Sequence, residues 1–350
     1  MEAVQLDPAK NALTFIKTDV PSKIDNDEVL VKVAYAGVCG TDLHIIEGKF
    51  PCKRDKFILG HEFSGVVAAI GADITHIKKG DRVAVDPNKG CNVCSCCTVG
   101  SYHLCGKGAI NGTIGIFQNG GWAEYCKVPG VLVYKIPDSM TLKQAALTEP
   151  LSCLAHGWER VGPILIGSKI LVTGAGIIGN LWSSVLHHSG HRDVIVCEPV
   201  AARREINKKL DTGFQCIGPA DIKRMKTNDI DFGVDVCIDC SGNGPAIEES
   251  IDLLKPGGKL CMFGVAAPDV KIRISPFDMY KRELTIVGVM INRFGFSKAL
   301  KLIEAMGDRY LDYERLGIQV YSLKDYKDGL ALLDKGNISK LVFKIASDLK

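Results

Sequence analysis

The sequence of 350 residues contains no apolar run of the roughly 18 residues that a membrane-spanning helix needs. Its opening stretch, Met1 to Lys10, carries charges and a proline and lacks the continuous apolar core of an export signal. It is also short of charge of one sign. The formal net charge is +3, and no basic run is interleaved with aromatic residues, so the electrostatic footprint of a nucleic-acid binder is missing. There is no internal repeat and no low-complexity linker. These absences point to a cytoplasmic protein whose partner is a small molecule, with neither nucleic acid nor membrane among its ligands.

Cysteine, by contrast, is plentiful, at 14 residues. In a reducing compartment these are thiols or metal ligands and not disulfides. Five of them (Cys91, Cys94, Cys96, Cys97 and Cys105) crowd into one segment. Cys197, Cys237 and Cys261 lie singly in strand-like runs and read as inert core residues. A hydrophobic fraction of 46% is enough for the two cores that a chain of this length implies.

Up to about His156 the chain is a series of short β-type runs: Val29 to Tyr35, Phe63 to Ile70, Arg82 to Val85, Glu124 to Val128 and Val131 to Ile136. Glycine and proline punctuate them, which predicts a sheet closed on itself or a sandwich. The texture changes near Gly157. Ile170 to Thr173, Val194 to Cys197, Asp235 to Cys240, Lys259 to Gly264 and Leu284 to Met290 are apolar runs with helix-like segments between them. That alternation predicts a doubly wound parallel sheet. After about Asn292 the pattern is mixed, with helices over Ser297 to Met306 and Leu323 to Leu333 and a last strand over Lys340 to Ile345. The expected organisation is a first domain over 1–156, a second over 157–292, and a tail, 293–350, that returns to the first.

The motif G-A-G-I-I-G (Gly174 to Gly179) follows an apolar strand and opens a helix with Ile178, Leu181, Trp182 and Val185 on one face and Asn180, Ser183 and Ser184 off it. Gly174 allows a tight turn, Gly176 lets backbone N–H groups approach a pyrophosphate, and Gly179 allows close helix–strand packing. Glu198, about 20 residues on, is placed to accept hydrogen bonds from a ribose 2′-OH and to repel a 2′-phosphate, which favours NAD over NADP. Arg203 and Arg204 weigh against that preference. Ile178, Arg203, Val265, Ile291 and Asn292 complete the candidate cofactor contacts.

Two further constellations carry metal chemistry. Cys91, Cys94, Cys97 and Cys105 form C-x₂-C-x₂-C-x₇-C, which suits a closed tetrahedral Zn²⁺ site. Cys96 is a fifth thiol in the same loop, although only Cys97 keeps the even spacing. The loop-rich stretch Gly37 to Glu62 contains G-V-C-G-T-D-L-H and then G-H-E, bringing together a thiolate, an imidazole and a carboxylate. These are the ligand types of a catalytic Zn²⁺, which can lower the pKa of an alcohol hydroxyl.

With these motifs, G-H-E-F-S-G-V-V-A-A-I-G (Gly60 to Gly71) and E-P-L (Glu149 to Leu151), in this order across nearly the whole chain, the sequence resembles the zinc-containing medium-chain dehydrogenases, in particular the polyol branch that includes sorbitol dehydrogenase. The resemblance implies a GroES-like β-barrel, a Rossmann domain and a homodimer or homotetramer. It implies that Cys39 and His61 bind the catalytic zinc, with Glu62 a further ligand or exchangeable neighbour. Glu149 is implied as ligand, direct or through water, with Cys153 its rival, and Asp42 orients a ligand. Thr41 would take the substrate proton, and His44 either relays it to solvent or is a surface residue. Hydride then passes to the nicotinamide, oxidising a secondary alcohol or polyol.

The sequence departs from the sorbitol dehydrogenase pattern at Ile45, where that pattern has an aromatic hydroxyl, and at Ile291 and Asn292, where it has Arg-Tyr. Ile45, Phe117, Trp122 and Ile291 are therefore expected to line a more apolar cavity. This leaves a terpenoid, allylic or aromatic alcohol as an alternative substrate. A non-catalytic zinc- and nucleotide-binding redox sensor is the alternative of another class.

Overall fold

The computed structural model describes residues 1–349. Six strands, five of them the runs read from the sequence and the sixth, Gln215–Ile217, not foreseen, form one fully parallel sheet in the order Gln215–Ile217, Val194–Cys197, Ile170–Thr173, Val234–Asp239, Leu254–Met262, Thr285–Gly288. Leu171, Val172, Ile195, Val196, Cys237 and Ile238 are buried in it, as befits strands covered on both faces. Ile177–His188, Ala201–Lys208, Pro219–Asn228 and Gly244–Leu253 are the main connecting helices. The order reverses between Ile170–Thr173 and Val234–Asp239, so a crevice opens at the carboxyl ends of those strands, where a dinucleotide binds in such sheets.

The remaining strands build the second body. A seven-stranded mixed sheet runs Ile318–Ser322, Lys340–Lys344, Glu28–Gly37, Phe63–Ile70, Arg82–Val85, Val133–Lys135, with Tyr125–Pro129 also paired to Glu28–Gly37. A three-stranded antiparallel sheet joins Ala12–Lys17, Glu2–Asp7 and Phe57–Ile58. Val4, Leu6, Val31, Phe57, Phe63, Trp122 and Phe343 fill the core they share. The tail thus supplies two strands to the amino-terminal body.

Several expectations need correction. Gly37 to Glu62 is less loop-rich than it reads: Gly40–Ile46 is a helix with Cys39 as its N-cap residue. Asn180, Ser183 and Ser184, off the apolar face of the glycine-motif helix, meet neighbouring chain and not solvent. All three are fully buried, and Asn207 reaches across from the neighbouring helix to donate to Asn180 Oδ1 at 2.8 Å. The run at Val131 opens with a 3₁₀ turn, Gly130–Leu132, before its strand. The helix Phe296–Leu311 continues beyond Met306 across a kink at Gly307 (φ 54°, ψ −161°).

A long helix, Thr148–Val161, was not legible because Pro150 sits near its start. Proline is tolerated in a first turn, where no intrahelical N–H bond is lost. This helix packs on Phe296–Leu311, on the glycine-motif helix and on the parallel sheet, and it runs through the expected division at residue 156. Its N-terminus carries Glu149, and the connection between the two bodies therefore begins at the site itself.

Candidate active site

Cys39, His61 and Glu62 converge with their ligand atoms all within 4.8 Å of one another. The fold sets this up from three directions. Cys39 ends the turn after the strand Glu28–Gly37, and its N–H donates to Asp42 Oδ2 at 2.8 Å. Asp42, fully buried, turns its other oxygen to within 3.3 Å of His61 Nδ1, which leaves Nε2 as the nitrogen available to an ion. Burial opposes protonation of His61, but Asp42 and Cys39 overcome it and hold the imidazole pKa well above its usual range. Glu62 is buried and ion-paired with Lys340, whose ammonium also donates to the Val38 carbonyl at 3.1 Å. Gly37 makes room for this pair, because a Cβ there would lie 2.1 Å from Glu62 Oε2 and 2.9 Å from Lys340 Cε.

Glu149 lies beside this trio but outside the 4.8 Å group. Desolvation, helped by Glu62 and opposed by His61, pushes its carboxyl up to about 7. Cys153, one turn along the same helix, donates its thiol to Glu149 Oε1 at 3.4 Å, and burial and that carboxylate keep it protonated. Zn²⁺ fits the donor set. The site gathers sulfur, nitrogen and carboxylate oxygen, and the buried acids Asp42, Glu62 and Glu149 face the Lys340 ammonium and the His61 ring, whose raised pKa reflects the same excess of negative charge that a divalent cation would offset. Thr41 and His44, both half-buried, are three residues apart on the helix Gly40–Ile46 and so share a face.

The expected apolar wall is not assembled as read. Ile45 and Trp122 are core residues of the amino-terminal body, 1% and 0% exposed, and the Trp122 indole donates to the Gly37 carbonyl at 3.0 Å. Phe117 is half-buried against the same core, and only Ile291 stays clear of it. The side chain of Asn292 is likewise not in the nucleotide cleft. It is fully buried, donates to Asp86 Oδ1 at 3.0 Å and accepts from Asn88 Nδ2 at 3.1 Å, while Thr113 donates to Asn88 at 2.7 Å. Lys340, Asp86, Asn88 and Thr113 were missed from the sequence. None stands in a motif, and each finds its partner through the fold.

In the second cluster Cys91, Cys94, Cys97 and Cys105 bring their sulfurs within 4.8 Å of one another, and Cys96 is not part of the group. Backbone amides aimed at Cys105, including Gly108 N–H at 3.2 Å, hold its thiol down to about 6. A thiol that ionises readily is suited to metal binding.

The nucleotide crevice, a cavity of about 470 Å³, is lined by Gly174, Gly176, Cys197, Glu198, Arg203 and Asn243, among others. Gly174 takes φ +94°, a Cβ on Gly179 would strike the Gly174 carbonyl at 1.9 Å, and a Cβ on Gly176 would meet nothing, which leaves that side open to a ligand. Glu198 fastens the loop by accepting from Ala175 N–H and Val200 N–H, both at 2.8 Å. Arg204 is committed to the Glu198 and Pro199 carbonyls, so Arg203 is the guanidinium that faces the crevice. Ile178 is half-buried at the helix start, and Val265 is 59% exposed, with its carbonyl against Gly242. Cys197 is half-buried, packing against the sheet core on one side and lining the crevice on the other, whereas Cys237 and Cys261 are fully buried. No helix among the described residues is long and apolar enough to cross a membrane.

Comparison with known proteins agrees with this geometry. Residues 25–138 match the alcohol dehydrogenase GroES-like domain, and residues 178–305 match the zinc-binding dehydrogenase domain. D-arabinitol dehydrogenase 1 of Uromyces fabae is 31% identical over 339 residues, 95% of this chain and 93% of that protein. D-altritol 5-dehydrogenase of Agrobacterium fabrum is 33% identical over 282 residues, covering 80% of this chain and 81% of that protein. Among solved structures, a zinc-binding dehydrogenase from Sinorhizobium meliloti 1021 bound to NADP is 30% identical, with a TM-score of 0.87 over 98% of both chains. An alcohol dehydrogenase from Escherichia coli CFT073 complexed with NADH is 25% identical with a TM-score of 0.87, covering 98% of this chain and 99% of that one. With its two bodies, its Cys39–His61–Glu62 cluster and its glycine-motif crevice, the chain belongs to the zinc-containing alcohol dehydrogenase family, and it is a dehydrogenase of that family's polyol branch.

Proposed function

We propose that the protein oxidises a secondary alcohol of a polyol to the ketone, reversibly, with NAD as hydride acceptor. The observation that carries this reading is the convergence of half-buried Cys39 with buried His61 and Glu62, and with buried Glu149 beside them. Cys39 and His61 would hold Zn²⁺, with Glu62 and Glu149 as further or exchangeable oxygen ligands, and Cys91, Cys94, Cys97 and Cys105 would hold a second, structural ion. When bound, the first ion supplies Lewis acidity that favours ionisation of the substrate hydroxyl. Thr41 relays the hydroxyl proton, accepting it as its own O–H proton leaves towards His44, which lies one helical turn further, is partly exposed and passes a proton to water. Glu198 holds the ribose and keeps the nicotinamide end of NAD aligned with the pocket.

A polyol is favoured over a terpenoid or aromatic alcohol because two members of the expected apolar wall, Ile45 and Trp122, are committed to the core. The relatives that act on arabinitol and altritol support the same direction. A homodimer or homotetramer in the cytoplasm completes the reading. The test is a panel of arabinitol, xylitol, sorbitol, a vicinal diol and a terpene alcohol with NAD and NADP, followed at the reduced-nicotinamide absorbance, with zinc counted per chain. Two zincs per chain and NAD reduction with a polyol are expected, and Cys39→Ala or His61→Ala should abolish turnover. Turnover that survives either substitution refutes the reading.

A further inference from the structure

Between the strand Thr285–Gly288 and the helix Phe296–Leu311, two residues that are not glycine adopt left-handed backbone: Ile291 (φ 41°) and Phe294 (φ 48°). For a β-branched residue this is a strained state, and such states persist only where the surroundings over-determine them. The surroundings come from two sides. Arg293 Nε donates to the Gly100 carbonyl at 2.9 Å, and Phe294 N–H donates to the Tyr102 hydroxyl at 3.3 Å. The Tyr102 and Phe294 rings meet edge to face at 4.9 Å. Gly100 and Tyr102 lie between Cys97 and Cys105, inside the four-cysteine lobe.

The other side is the helix Thr148–Val161. His156 Nδ1–H donates to the Ile291 carbonyl at 2.9 Å, and a Cβ on Gly295 would come within 2.5 Å of the Ser152 carbonyl, so the segment rests on that helix's backbone. Glu149, Cys153 and His156 are spaced i, i+4, i+7 and share one face. His103, also from the cysteine lobe, packs its ring edge-on against His156 at 4.9 Å.

We propose that the four-cysteine lobe has a task beyond its own stability: it clamps Ile291–Gly295 against the helix that carries Glu149, and so fixes the position of that acid in the active site. Tyr102 and Arg293 are positioning residues in this scheme. A lobe whose sulfurs are tied to one ion is rigid, and rigidity is what a strained segment requires of its anchor. The inference deepens the dehydrogenase reading and depends on it for its catalytic half.

The test uses the full-length, zinc-replete protein and the variants Arg293→Ala, Arg293→Lys and Tyr102→Phe. Hydrogen exchange of the peptide spanning 288–297 reports on the clamp directly. In Arg293→Ala, exchange of the Phe294 amide should rise about tenfold. kcat/KM for the best polyol should fall about ten- to a hundredfold, the scale expected when a reacting group is misplaced, with most of the loss in kcat. ADP-ribose affinity should stay within about twofold, because Gly174, Glu198 and Asn243 line a crevice that this segment does not enter. Arg293→Lys, which can still reach the Gly100 carbonyl, should recover part of both losses, and Tyr102→Phe should repeat the exchange effect with its ring intact. Unchanged exchange, unchanged kcat/KM, or a parallel loss of ADP-ribose binding overturns the proposal. If the wild-type protein oxidises nothing in the panel, the dehydrogenase reading fails, and the exchange result alone decides whether the lobe holds the segment.

Discussion

Replacing Lys340 with methionine isolates one charge at the active site, because methionine keeps most of the side-chain stem and deletes the ammonium. Lys340 is 1% exposed and Glu62 is 2% exposed, so neither can turn to water. Burial disfavours the ammonium, yet Glu62, Cys39 and Glu149 around it raise its pKa above that of an ordinary lysine, which marks a site strongly negative in the absence of a metal. Removing one partner of such a buried pair leaves an uncompensated charge and costs about 3–5 kcal/mol. In Lys340→Met that cost should fall in full on the metal-stripped protein. With Zn²⁺ beside Glu62 the stranded carboxylate has a cation to face, and what remains is the loss of one buried hydrogen-bond donor, about 2 kcal/mol. The difference, on the order of 2 kcal/mol, returns through linkage as zinc binding tightened by roughly thirtyfold. Urea unfolding of stripped and zinc-loaded protein, together with competition against a chromogenic chelator, measures both sides of the cycle. The structural cysteine site is stripped equally in wild type and variant and cancels from the comparison. Equal destabilisation of the two forms, or weaker zinc binding in the variant, would refute the reasoning that Lys340 stands in part for the charge of an ion.

Two other expectations follow from buried carboxylates. Asp86 is pushed up to about 6, by desolvation against the bonds it accepts from Asn292 and the Asn88 N–H. A folded-state acid with a raised pKa binds its proton where the unfolded chain does not, so its contribution falls as pH rises from about 4 to 6 and is a full penalty above 6. Asp86→Asn keeps an acceptor for both bonds and deletes the charge. It should stabilise the protein at pH 8 by about 1–3 kcal/mol and by nothing near pH 4, as thermal unfolding against pH would show. A gain that is the same at both pH values counts against a buried charge as the cause. Glu198→Ala should weaken NAD about ten- to a hundredfold and NADP less, measured by fluorescence titration of the reduced cofactors, because only NAD offers its 2′-OH to the carboxylate. Both should lose something, since Glu198 also holds the Ala175 and Val200 amides. Equal losses would remove Glu198 from the choice between them.

What could be read from the sequence was local. The glycine motif encodes a turn, an open approach and a helix contact within six residues, and the structure gives Gly174, Gly176 and Gly179 those three different surroundings. The cysteine spacing likewise brings its four sulfurs together within 15 residues. Five of the six strands of the parallel sheet were legible as largely apolar runs, because burial on both faces leaves few polar positions, while the short edge strand Gln215–Ile217 was not read. What failed were readings of single side chains that needed to know what lies opposite. Asn207 covers Asn180 and Ser183, polar positions off the apolar face of their helix, and Ile45 and Trp122 look like a substrate wall until the barrel closes over them. Lys340 sits in a short strand, where a lysine ordinarily marks an exposed edge position. It becomes part of the active site because that strand pairs with Glu28–Gly37 and delivers it to the carbonyl of Val38 and the carboxylate of Glu62. The candidate metal-binding residues follow this division. Cys39, His61 and Glu62 come from one stretch of sequence, which made their convergence legible, while the Lys340 ammonium that pairs with Glu62 arrives from the far end of the chain. The catalytic pocket is therefore completed only when the tail has docked, and its assembly reports on the folding of the whole amino-terminal body.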